Sequence, residues 1–133
     1  MAGVHWLAII AATIAGFMVG GLWYSVLFGK AWMAERGVTK EEAMAKGANP
    51  AFMFGVTLLL DLVIAFVLDH VLKDGGGLHM AMMISGGIAL GFIIPAMGVN
   101  YLYQQSSFKL FLIDAGHWLV TLVVMGVVLN LLG

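Results

Sequence analysis

The chain contains no cysteine, which excludes disulfides, thiolate metal sites and cysteine nucleophiles. Charge is almost as scarce: Asp, Glu, Lys and Arg make up 10% of its 133 residues, against about 25% in soluble domains. A net charge of −1 leaves no basic footprint for nucleic acid, so no nucleic-acid partner is expected. The start, "MAGVHWL", lacks the basic segment of a secretory signal, and the first apolar run reads as a retained span. HExxH, GxSxG and a glycine-rich phosphate loop in a suitable context are all missing, so an enzyme is not expected.

What the chain has in place of charge is apolar surface. Apolar residues reach 62%, more than a soluble fold of this size can hide. A bilayer removes that difficulty by acting as the solvent. Four stretches match the roughly 20 apolar residues a transmembrane helix needs: 4–28, 50–72, 78–103 and 108–132. The sequence therefore predicts an all-α, integral membrane four-helix bundle in a single domain, with successive helices as antiparallel neighbours.

The polar connectors supply stops and starts. Asn49 suits an N-cap with Pro50 in the first helical position. Gly75, Gly76 and Gly77 read as a turn. Ser106 or Ser107 suits the cap of the last helix. In the first loop, Thr39 and Glu42 fit a capping box and Gly47 a stop, which predicts a short surface helix there. Pro95 predicts a loosened turn in the third span.

Orientation follows the basic residues. Lys30, Arg36, Lys40, Lys46 and Lys109 fall on one side, and only Lys73 on the other. Short loops rich in Lys and Arg stay in the cytoplasm, so both termini are expected outside it. Trp32, Tyr101 and Tyr103 suit an interfacial aromatic belt on the cytoplasmic side and Trp6 one on the other.

Small residues recur at four-residue spacing: Ala8, Ala12, Gly16 and Gly20 in the first span, Gly87 and Gly91 in the third. Such stripes permit close helix contact in lipid. They fit packing within the bundle or, alternatively, a homo-oligomer.

Deep in the spans only Asp61 and Asp114 carry full charge, with no Lys or Arg beside them. Unpaired and ionised, each costs several kcal/mol, so each takes up a proton or finds a partner. At 1.5 Å rise per residue, Asp114 lies ~9 Å, His117 ~13 Å and Asp61 ~16 Å from the cytoplasmic end, with Asn100 and Tyr24 ~5–6 Å in. Tyr24 and Ser25 end the small-residue stripe, Asp114, His117 and Thr121 share one helical face, and Thr57 and Asp61 share another. Polar groups from all four spans thus reach similar depths.

Three readings of this cluster stand. Asp114 accepts from His117 or Asn100 and the cluster holds the bundle together. Alternatively, Asp114, His117, Asn100, Tyr24, Ser25 and Asp61 line a site for a small solute, ion or proton, with Asp114 protonatable and His117 its partner. A metal or haem site is the third, but a single deep histidine argues against it, and no cofactor or metal is expected.

The segments "GLWYSVLFGKAWM" (21–33) and "NYLYQQSSFKLFLIDAGHWLVTLVVMGVVL" (100–129) resemble the domain of unknown function 1761 family, small bacterial membrane proteins with four spans. Trp23, Tyr24, Ser25, Phe28, Gly29, Lys30 and Trp32 match its first element. Asn100, Tyr101 and Leu102 match its N-Y-L segment, and Asp114, Ala115 and Gly116 its last-helix motif. His117 stands where the family more often has an aromatic, and Asp61 belongs to no family motif. The resemblance implies the four-span fold and a membrane location, and no activity.

Overall fold

The computed structural model describes residues 5–37, 41–42, 49–72 and 76–133. Four long apolar helices dominate it: α1 (Trp6–Leu27), α3 (Pro50–Leu72), α4 (Gly77–Tyr103) and α5 (Phe108–Leu132), each long and apolar enough to cross a membrane. A short α2 (Gly29–Arg36) follows α1. No strand occurs among the described residues. The chain is thus an all-α membrane bundle, and its helices are those the hydropathy pattern predicts.

Local chemistry sets the helix ends. The Asn49 side chain accepts from the Phe52 N–H at 3.2 Å, and Pro50 opens α3. Ser107 accepts from the Leu110 N–H at 3.0 Å, which makes it the cap of α5. Gly76 and Gly77 hold φ values of +101° and +76°, where a side chain would be strained. Helix α2 follows α1 directly and ends at Gly37 with φ of +70°; of the short helix expected between Thr39 and Gly47, only Glu41 and Glu42 are described, and both are helical. Thr39, Gly47, Gly75, Lys40, Lys46 and Lys73 lie outside the described residues.

Two of the long helices carry a π-turn. In α1 it spans Trp23–Leu27 and is closed by Phe28 N–H to Trp23 O at 2.7 Å. In α4 it spans Ala89–Ile93, with Ile94 N–H bonded to Ala89 O. Pro95 follows in the first turn of the resumed α-helix, where its missing N–H is tolerated. Each π-turn inserts a residue and rotates the downstream face by about 100°.

Helix α5 is the hub. It packs antiparallel against α1 on one side and α4 on the other, while α3 leans on α1 and scarcely meets α4. The buried core gathers Ala8, Ile9, Ala12, Ala65, Leu68, Leu122, Met125 and Leu129 in the half that holds the chain termini. The stripe of α1 faces α5: a Cβ at Gly16 would meet the Met125 and Thr121 side chains, and one at Gly20 would come 3.2 Å from His117 Nε2. Gly87 and Gly91 have nothing within 4 Å. A leucine at Gly87 is therefore expected to change stability by less than ~0.5 kcal/mol. Denaturation in mixed micelles, read by circular dichroism, checks this.

In the half holding α2, the packing opens. Residues 51–55 and 57–60 of α3 are all exposed, and Phe17 of α1 touches Phe54 of α3 edge-on at 5.9 Å. The bundle is a wedge, tight at the terminal side and parted between α1 and α3 at the other.

Candidate functional site

The parting leaves a cavity of about 640 Å³. Glycines at 16, 20 and 21 thin its α1 wall, and Tyr24, Asp61, Tyr101, Asp114 and His117 supply polar groups. Phe17, Trp32, Phe54 and Trp118 make much of the rest. Among the lining residues there is no Lys or Arg.

Asp114 is the fixed point. It is 8% exposed, and its two carboxylate oxygens have different partners. The Tyr24 hydroxyl donates to one and the Tyr101 hydroxyl to the other. One acid on α5 thus holds α1 and α4 together. Beside it, the Trp23 indole N–H donates to the Ile113 carbonyl at 2.9 Å. That bond ties the π-turn of α1 to α5 one residue from the acid. Trp23 also fills the space above Gly116, where a Cβ would lie 2.9 Å from its ring. Replacing Trp23 with phenylalanine keeps an aromatic ring but loses the indole donor and some ring volume, and is expected to cost about 1 kcal/mol or more. Chemical unfolding of the purified variant measures it.

Gly29 completes the support. Its Cβ would sit 2.6 Å from the Tyr24 carbonyl oxygen, which is backbone and cannot swing away. The chain can fold back from α1 into α2 beneath Tyr24 only with glycine at 29. Glu35 of α2 accepts from the Ser107 hydroxyl at 2.5 Å, pinning α2 to the α4–α5 loop.

The deep groups otherwise differ from the sequence expectation in two ways. Asn100 is exposed and outside the cavity lining, and Tyr101 takes its place. Ala81 and Ser85 of α4 are buried, with Ala89 continuing the face, and an unbroken helix would extend it to about residue 100. The π-turn at Ala89–Ile93 adds one residue and brings Tyr101 round instead. Tyr101 is therefore not a belt residue at its hydroxyl end, and the loosened turn implied by Pro95 was the signal for it.

His117, second, makes no hydrogen bond to Asp114, whose oxygens accept from the two tyrosines instead. Its ring lies 5.1 Å from that of Tyr24 and 4.8 Å from that of Trp118, and its Nδ1 is buried without a partner. Ser25 lines the cavity, is exposed, and donates to the Gly21 carbonyl. Asp61 is 4% exposed, lines the cavity and makes no hydrogen bond or ion pair among the described residues. No three His, Asp or Glu side chains gather as a metal-holding set among the described residues.

A third buried acid lies near the termini: Asp69 is 4% exposed and pairs with His5 Nδ1 at 3.5 Å. That pair belongs to the closed half of the wedge.

No curated protein and no solved structure matches the chain. A family model described as "Protein of unknown function (DUF1761)" matches residues 7–130, which include Trp23, Tyr24, Gly29, Tyr101 and Asp114. The chain therefore belongs to the DUF1761 family of proteins of unknown function.

Proposed function

We propose that this membrane protein is a carrier of a small solute, an ion or protons, worked through the cavity beside Asp114. The observation that carries the reading is a carboxylate buried in a membrane bundle, held by hydroxyls from two other helices, beside a cavity that Asp61 also lines. Ionisable groups at such depth commonly mark ion or proton paths. The cavity occupies only the α2 half, and the terminal half is filled by the Ala8, Ile9, Ala12, Leu122 and Met125 core. That asymmetry suits a site served from one side at a time rather than an open pore. The Lys and Arg distribution supports an open side facing the cytoplasm, with both termini on the opposite side.

The test is flux. Protein reconstituted in liposomes with an internal pH dye is expected to move protons or exchange them for a solute under an imposed gradient. Asp114→Asn is expected to stay folded and fall to the level of empty liposomes. Wild-type protein no different from empty liposomes across a panel of gradients removes the proposal.

A structural role is the second reading, favoured by one observation: both oxygens of Asp114 are spent on bonds between helices. On that reading Asp114→Asn keeps the fold, with stability within about 1 kcal/mol of wild type, and there is no flux to lose.

A further inference from the structure

We propose that the cavity binds a monovalent organic cation with an apolar body, entering from the bilayer between α1 and α3, with Asp61 as its counter-ion. The proposal rests on the carrier reading for its purpose and on the cavity alone for its chemistry.

The argument begins with Asp61. It is nine-tenths buried, borders the cavity, and has no hydrogen bond or ion pair from the protein among the described residues. Asp114 is in the opposite condition, with both oxygens taken by tyrosines. A buried carboxylate without a partner in a low-dielectric site favours a cation strongly. No Lys or Arg lines the cavity to meet that need. The nearest guanidinium on this wall, Arg36, lies over the Trp32 ring at 4.9 Å.

The rest of the wall says what kind of cation fits. Phe17, Tyr24, Trp32, Phe54, Tyr101 and Trp118 surround the space. Aromatic faces attract diffuse organic cations, more so when water is excluded. A metal ion would require converging oxygen and nitrogen ligands, and no set of three acids or histidines converges among the described residues. At about 640 Å³ the cavity is drug-sized rather than ion-sized.

The route follows from exposure. Phe54 is 57% exposed, and Thr57, Gly21 and Ser25 are exposed as well, all on the parted faces of α1 and α3. These faces lie within spans that lipid would surround. A ligand entering there must dissolve in lipid, which requires the apolar body.

Equilibrium dialysis of tetraphenylphosphonium against the full chain in a non-ionic detergent tests this, with tetraphenylborate as the anion of the same shape. Saturable binding of the cation, one per chain, is expected, with none of the anion. Asp61→Asn is expected to weaken it on the order of tenfold or more, without unfolding, since Asp61 bonds to nothing else. Thr57→Phe, which fills the mouth from an exposed position, is expected to abolish it. The proposal is overturned by equal binding of both ions, by no saturable binding, or by folded variants that bind as wild type does. Binding without flux would leave this inference standing and remove the carrier. Proton flux without cation binding would do the reverse.

Discussion

Asp114→Leu is expected to lower the stability of the bundle by about 2–4 kcal/mol, the largest effect of any single polar substitution. The side chain accepts from Tyr24 on α1 and from Tyr101 on α4. Hydrogen bonds between helices in a membrane contribute roughly 0.6–2 kcal/mol each. Leucine removes both and leaves two hydroxyls without an acceptor, a further cost when they stay buried. Asparagine behaves differently. Its carbonyl still accepts from one tyrosine, and its amide donates to the other, whose oxygen has lone pairs to spare. Asp114→Asn is expected within about 1 kcal/mol of wild type. Unfolding in a graded mixture of denaturing and mild detergent reads both. Equal losses for Leu and Asn would mean that the carboxylate charge, not its bonding, holds the helices. No loss for Leu would mean that the tyrosines do not converge there.

Gly126→Leu is expected to prevent the native bundle from forming. Gly126 of α5 packs directly against Ser85 and Ala81 of α4. A Cβ there would overlap the Ser85 hydroxyl, lie 2.9 Å from Ser85 Cβ and 3.2 Å from the Ala81 carbonyl oxygen. Two of these obstacles cannot rotate away, because one is backbone and the other is fixed to it. Overpacking typically costs 1–3 kcal/mol when neighbours can adjust, so a whole leucine here should cost about 3 kcal/mol or more. The same change at Gly87, which has open space around it, is the matched control. A folded Gly126→Leu protein of unchanged stability would mean that α4 and α5 are not in the described contact.

Much of the fold is written locally and was legible for that reason. Asn49 and Ser107 cap because an amide or hydroxyl at a helix start has one obvious use. Hydropathy alone defines the spans, since nothing else tolerates that many apolar residues in a row. Asp114 was also legible, as an acid with no business in lipid. Its partners were not. Asn100 and Tyr101 are neighbours, and a single inserted residue twelve to seven positions upstream decides which of them faces α5. Periodicity cannot supply that phase, although Pro95 marks where it is lost. The lean of α3 away from α5, which creates the cavity, depends on contacts between segments far apart in sequence. Gly29 reads as an ordinary glycine until the Tyr24 carbonyl is seen beneath it.

The central claim is that hydroxyls from two helices meet one carboxylate on a third. A double-mutant cycle measures it most directly: Tyr24→Phe and Tyr101→Phe, each paired with Asp114→Ala, with stability as the readout. Each tyrosine is expected to couple to Asp114 by about 1 kcal/mol. Each tyrosine substitution is expected to be nearly silent once the acid is gone. Additive losses, with no coupling for either pair, would contradict the account.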